Sequence, residues 1–526
     1  MPTGTVSAGV VPQYVNEDGF ASAPKARPNV GWEKTGTSRC ILLDVATGKS
    51  ALVTLPAELK DRAVRFASAK FSCSGKLALL ADSADWHDRW YFFVDPITGA
   101  ATIAESLHDD AWVGGPGDGA WGWTPDGDHL YFSSEEGGWS RIILRGTDGT
   151  RQVLSAKGSE AYDPLTRPAP ENSSFPCSLY FTSSASDLGQ RHFYRRSLAG
   201  TENINLTRSL PGWNEATLSP DGKSLAVVHS YTNRPPELYV MDAASGAVPR
   251  RITVSPSPEF RAYPWRDVPV VKIVARDGTP VSARLFTPTK RTRATGAAVV
   301  FVHGAGYLQN ADKGWTEYPR EYLFHHFLAE RGYTVLDVDY RGSSGYGRDF
   351  RTGIYKHMGG KDLSDVTDSV RWLVRNHRID PKRVGIYGGS YGGFLTLMAL
   401  FTDPKTYRAG AALRPVTDWT KYNHEYTGRI LGLPQDDEAA YRRSSPIFFA
   451  EGLTGSLLMC HGMGDDNVFF QDTVRLTERL IELGKTDHFE TAIYPVEAHS
   501  FTEPASWTDE YKRIFALFER TIGEKK

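Results

Sequence analysis

Three residue types stand in the order that acyl transfer requires. Ser390 lies in Gly388-Gly389-Ser390-Tyr391-Gly392, between the apolar run "VGIY" and the apolar run "FLTLMAL". A G-x-S-x-G stretch that ends a strand and opens a helix forces its serine onto a sharp, exposed turn. The small residues two before and two after the serine let strand and helix pass closely. A serine hydroxyl is a poor nucleophile until a base takes its proton. In this strand–turn–helix context the partners follow in the order serine, acid, histidine. Downstream, "CHGMGDDNVFF" offers Asp465 and Asp466, and spacing alone does not choose between them. His499 follows in "YPVEAHSF", on a loop before the last helix. The other histidines beyond Ser390 are placed less well. His424 lies among tyrosines and a tryptophan, His461 directly precedes the acid turn, and His488 stands between a helix and a strand.

A tetrahedral intermediate also needs donors aimed at its oxyanion. One is the backbone N–H of Tyr391, the residue after the serine. The second is expected from the loop His303-Gly304-Ala305-Gly306-Tyr307. The Ala305 N–H is the first candidate, with the side chain of His303 or Tyr307 as the alternative.

These residues need a rigid frame, and the C-terminal half supplies one. From about residue 262, short apolar strands such as "AAVVFVHG", "TVLDVDY", "VGIYGG" and "SLLMCHG" alternate with helix-like segments such as "REYLFHHFLAERG" and "DVTDSVRWLVRNH". That alternation predicts a doubly wound, mostly parallel sheet covered on both faces, an α/β-hydrolase domain over 262–526. The stretch "VKIVARDGTPVSARLFTP" reads as a hairpin at its starting edge.

Residues 1–261 have a different grammar. Runs such as "KLALLAD", "HLYFSSE", "SLYFTSS" and "SLAVVHS" have strand length, and three of the four follow Gly-containing turns. Turn glycines recur at Gly48, Gly99, Gly149, Gly200 and Gly246, which are 51, 50, 51 and 46 residues apart. A repeat near fifty residues with several strands each predicts a β-propeller rather than a sandwich. Four full repeats are expected at 63–105, 110–155, 160–208 and 213–255, with the hairpin at 38–55 as part of a fifth. Five units are few for a closed ring, so either the first 30 residues complete something unusual or the propeller is incomplete.

The bulk composition narrows the classes of function. The chain has 526 residues with a net charge of −2, which excludes an electrostatic nucleic-acid binder. No run approaches the ~18 apolar residues of a membrane helix. No signal peptide is legible from Met1, which points to the cytoplasm if Met1 is the natural start and to a periplasmic or secreted protein if a leader is missing. The four cysteines, Cys40, Cys73, Cys177 and Cys460, make no zinc pattern. One disulfide among the first three stays open, and Cys460 reads as a buried thiol.

"GGSYGG", "HGMGDDNV" and "EAHSF" behind a propeller resemble the prolyl oligopeptidase family of serine peptidases, most of all its dipeptidyl peptidase IV branch. The resemblance implies Ser390, Asp465 and His499 as the triad, because the first aspartate of that turn is the catalytic one. It implies no metal or organic cofactor, and peptides as the partners. It leaves open whether the chain is a homo-oligomer. "RPVTDWTKYNHEYTGRILGLP" is similar to the branch's proline-binding segment, with Val416, Trp419, Tyr422, Tyr426 and Arg429 at matching places. Val468 completes that set, and Asn467 matches a binder of the P2 carbonyl. A rigid pyrrolidine suits such an aromatic slot.

Two departures stand out. The branch anchors a free substrate amine with paired glutamates. The adjacent pair Glu135-Glu136 reads instead as a solvated turn. The family's hydrolase domain also receives a segment from before the propeller, and none is legible here. The expected function is therefore a serine peptidase for short peptides with Pro or Ala at P1, of dipeptidyl peptidase or oligopeptidase type. An acyl-peptide hydrolase or esterase with the same triad is the alternative, and a catalytically silent propeller is the third reading.

Overall fold

A computed structural model describes residues 9–16, 19–31, 38–168 and 177–524. The reading of Met1 as start, and part of the third repeat, lie outside the described residues.

Four antiparallel four-stranded sheets succeed one another at 64–108, 121–153, 161–205 and 213–251, preceded by a two-stranded hairpin of Ile41–Leu43 and Ser50–Leu52. The period-two alternation of each strand explains why they stack as propeller blades. In the strand Leu77–Ser83, Leu77, Leu79 and Ala81 face a cluster shared with the hairpin side. Ala78 and Leu80 face the next sheet, meeting Trp121, Leu130 and Phe132. In Cys177–Ser183, Leu179 and Phe181 meet Ile142 and Leu144 of the sheet before, while Tyr180 meets Leu225 and Val227 of the sheet after. Each interface is thus one dry layer between two sheets.

The second half is one eight-stranded sheet. Its strands in chain order are β1 (Val270–Val274), β2 (Pro280–Phe286), β3 (Ala298–Val302), β4 (Thr334–Asp339), β5 (Val384–Gly389), β6 (Ala409–Leu413), β7 (Ser456–Gly462) and β8 (Phe489–Tyr494). In space they run β1-β2-β4-β3-β5-β6-β7-β8. The β1–β2 and β2–β4 pairs are antiparallel and all the others parallel. On one face Val300, Val302, Val338 and Ile386 pack beneath the helices Lys361–Asn376 and Tyr391–Thr402. On the other face Val299, Phe301, Val335 and Tyr387 pack beneath Pro319–Glu330 and Pro504–Thr521. With both faces covered, the carboxyl edge is the place left for a site.

Three sequence expectations need correction. All four cysteines are free thiols, so no disulfide joins Cys40, Cys73 or Cys177. A segment from before the propeller does reach the hydrolase domain. Val30 is buried in its core, the Val30 N–H donates to the Tyr422 carbonyl at 2.8 Å, and Arg27 donates to the Asn467 carbonyl. The sequence concealed this because the segment has only isolated bridges and no periodic strand. Glu135, finally, is not a solvated turn residue. Its side chain is 7% exposed and paired with Arg351 of the hydrolase domain, while Glu136 stays exposed and pairs with Arg151.

Candidate active site

The turn after β5 is as tight as its glycines require. A Cβ on Gly388 would lie 2.1 Å from the Val302 carbonyl oxygen, and one on Gly392 would lie 2.0 Å from the same atom. Only glycine at both places lets strand and helix close on β3. Ser390 is held at φ 58° and ψ −115°, where a side chain is strained. Its N–H donates to the Leu413 carbonyl of β6 at 2.8 Å, which fixes the turn to the sheet. Tyr391 begins the helix, so its own N–H has no partner within that helix.

His499 Nδ1 lies 2.8 Å from Asp465 Oδ2. The Asn467 and Val468 N–H groups each donate to Asp465 Oδ1 at 2.9 Å. Burial works to raise the Asp465 pKa, but hydrogen bonds from His461 and His499 outweigh it and hold the carboxyl far below the usual range. Asp466, one residue on, is exposed. His461 does not face the serine: its Nε2–H is shared between the Val468 carbonyl at 2.9 Å and Asp465 Oδ2 at 3.3 Å, and its Nδ1 accepts from Thr473 at 2.7 Å. It braces the acid turn from behind. His424 is buried against Trp86, and His488 bonds the Gly455 carbonyl.

Ser390, Tyr391, Ala305 and His499 line one cleft of about 410 Å³. Val416, Trp419, Tyr422, Tyr426 and Asn467 line it too. Trp419 meets Tyr422 at 5.5 Å and Tyr426 at 6.0 Å between ring centroids, and Tyr422 stands edge-on to Tyr426. These rings make a rigid aromatic slot beside the serine. Tyr391 is pinned by its hydroxyl, which donates to Asp362 at 2.6 Å. The Tyr422 hydroxyl donates to Asn467 Oδ1 at 2.7 Å, which leaves the Asn467 amide N–H₂ for another acceptor.

Two residues of the expected pocket fall outside the cleft. Val468 is buried in the core, where its backbone serves Asp465 and His461. Arg429 lines a neighbouring cavity instead. Of the two side-chain alternatives for the oxyanion, one is engaged elsewhere and the other lines the cleft. His303 is fully buried, with Nδ1–H to the Gly304 carbonyl at 2.8 Å and Nε2 accepting from Ser343 at 2.9 Å. Tyr307 is 55% exposed and leans on Tyr426.

Sequence reasoning missed Tyr318. It is the residue before the helix Pro319–Glu330, and it lines the same cleft. The empty position where Gly304 would carry a Cβ is 3.1 Å from the Tyr318 hydroxyl and 3.4 Å from Ser390 Cβ. The phenol oxygen and the serine therefore border the same gap beside Gly304. Burial pushes the phenol's pKa up, so it stays a neutral donor. No motif marks Tyr318, because it belongs to the start of the following helix and not to the loop itself.

Comparison with known proteins agrees with this geometry. Residues 323–525 match the model of the prolyl oligopeptidase family, and residues 24–236 match that of the dipeptidyl peptidase IV N-terminal region. Human (Homo sapiens) dipeptidyl peptidase 8 is 33% identical over 234 residues, 43% of this chain and 25% of that protein. A probable dipeptidyl-aminopeptidase B of Aspergillus terreus is 29% identical over 334 residues, 61% of this chain and 35% of that protein. The matches thus span between a quarter and about a third of these curated relatives. The crystal structure of Porphyromonas gingivalis dipeptidyl peptidase 4 superposes with a TM-score of 0.83 at 23% identity, over 98% of this chain and 71% of that one, and shares the fold. Residues 323–525 thus form a domain of the prolyl oligopeptidase family, behind an N-terminal region of the dipeptidyl peptidase IV kind.

Proposed function

We propose that this protein is a serine peptidase that cleaves short peptides after proline or alanine, with Ser390 as nucleophile. The observation that carries this reading is the meeting, in one cleft, of a strained Ser390, the His499–Asp465 pair at 2.8 Å and an aromatic slot. The division of the chain at 261/262 into propeller and peptidase domain goes with it.

His499 takes the Ser390 proton as the hydroxyl attacks the scissile carbonyl. Asp465 keeps the imidazole oriented and offsets its charge. The oxyanion is met by the Tyr391 N–H and the Ala305 N–H, with the Tyr318 hydroxyl as a third donor. Collapse of the intermediate passes the proton from His499 to the leaving amine and leaves an acyl-enzyme. Water, activated by the same histidine, then releases the acid. Val416, Trp419, Tyr422 and Tyr426 hold the P1 ring, and the spare Asn467 amide hydrogens suit a P2 carbonyl.

The test pairs a fluorophosphonate probe with hydrolysis of an Ala-Pro p-nitroanilide. Wild type should label and turn over, and Ser390→Ala should lose labelling and at least about 10³-fold of kcat. An unlabelled wild type, or a Ser390→Ala variant that keeps its rate, sinks the proposal.

A further inference from the structure

Beyond Gly306, Tyr307 and Tyr426 the cleft adjoins a cavity of about 310 Å³ between propeller and hydrolase sheet. Its walls hold Trp112, Tyr162 and Asp118 from the propeller and Arg351 and Arg429 from the other half. The carboxylates nearby are already taken. Asp118 is paired with Arg89, and Glu135 with Arg351. Glu160 accepts the N–H groups of Ser140 at 2.7 Å and Gly347 at 2.9 Å.

The donors are not taken to the same degree. The Arg351 side chain is 7% exposed, and its Nη1 is buried with no hydrogen-bond partner. Nη1 lies toward Gly114, 3.4 Å from where a Cβ there would stand, so the missing side chain opens the cavity onto it. The Tyr162 hydroxyl is likewise buried and without a partner. Among the described residues, no hydrogen bond or ion pair at contact distance holds Arg429. Two guanidinium groups and a phenol thus border one half-open space with donors to spare, and the two of these that are buried, Arg351 Nη1 and the Tyr162 hydroxyl, are costly unless a ligand meets them.

We propose that this cavity is a subsite for a carboxylate that the substrate carries on the amino-terminal side of the scissile bond. The orientation rests on the peptidase reading above, in which Trp419, Tyr422 and Tyr426 seat P1. A carboxylate can accept from a guanidinium fork and from the phenol together. A free ammonium there meets two positive groups, and the carboxylate in the wall, Asp118, is already paired with Arg89. Acidic side chains before P1, or an acidic blocking group, fit the site; a bare amino terminus does not.

The experiment measures binding to the Ser390→Ala protein by calorimetry, so that no turnover is needed. The ligands are succinyl-Ala-Pro-amide, acetyl-Asp-Pro-amide, acetyl-Ala-Pro-amide and H-Ala-Pro-amide. At least one of the two carboxylate ligands should bind about tenfold more tightly than acetyl-Ala-Pro-amide, and which one does so tells a blocking group from a side chain. H-Ala-Pro-amide should bind weakest. The preference should shrink toward unity in Arg429→Gln and in Tyr162→Phe, and with rising salt. Equal affinities, no binding of any ligand, tighter binding of the free amine, or a preference that survives both substitutions overturns the subsite. Failure of Ser390 to label in wild type would instead sink the peptidase reading, and the two results are separable.

Discussion

Asp465 and Glu135 are both shut away from water, with side chains 0% and 7% exposed, yet the two regions treat their charge in opposite ways. Asp465 sits in a turn that supplies its own donors. Two N–H groups come from two and three residues on, and His461 and His499 add theirs. The carboxyl stays ionised far below its usual range. Glu135 faces one arginine 216 residues away, across the domain boundary. Burial dominates there, and its pKa is pushed up to about 7 despite Arg351. Burial alone expels charge; a carboxylate stays charged when its own turn brings hydrogen-bond donors to it.

The largest effect should come from breaking the first arrangement. Asp465→Asn keeps the shape but removes the charge that steadies His499 during proton transfer. A loss of about 10³- to 10⁴-fold in kcat with little change in KM is expected. Asp466→Asn, on the exposed neighbour, should stay within a factor of about two. Steady-state kinetics of the pair checks both, and a comparable loss in Asp466→Asn would overturn the assignment of the acid.

The two phenols sharpen the same contrast between cleft and cavity. Tyr318 and Tyr162 are both pushed up in pKa by burial, but only Tyr318 borders the gap beside Gly304 together with the serine. Tyr318→Phe should cost about 10- to 100-fold in kcat, the scale of one oxyanion donor or somewhat less. It should also weaken a boronic acid transition-state analogue by a similar factor and leave KM nearly level. If kcat holds and only KM rises, Tyr318 shapes the pocket and does not stabilise the oxyanion.

Local chemistry was legible in the sequence wherever a motif and its element coincide. The elbow at Ser390, the acid turn and the His499 loop all carry their own flanking strands, and the turn glycines marked the propeller sheets. Strand β6, "AGAAL", escaped because its small residues lack the bulk that marks a strand; it is a strand because Ser390 and Arg408 bind it between β5 and β7. The contacts that escaped are long-range. Tyr318 at the oxyanion loop, Arg351 on Glu135 and Val30 in the hydrolase core each join segments that no local pattern relates. The same holds for Arg429, which the family resemblance placed with Tyr426 in the proline pocket but which lines the cavity next door.

Glu135 acts on stability rather than on rate, and offers the most direct test of what burial does without a local turn. Its folded pKa of about 7 lies above the ordinary 4.5. Below pH 4.5 both folded and unfolded chains hold the proton, and the neutral group is no burden. As pH rises from 4.5 to 7 the unfolded chain releases its proton first, so folding loses stability across that window and levels off above it. The loss is about 3 kcal/mol at the upper end. Asp465 has the reverse sign, with stability present at neutral pH and lost only as acid protonates the folded form. Glu135→Gln cannot titrate, so its thermal midpoint should be close to wild type near pH 4.5 and gain on it steadily up to pH 7. Series of thermal midpoints for the two proteins decide the matter. A difference that stays flat across the window would mean that Arg351 keeps Glu135 fully ionised, and the contrast with Asp465 would disappear.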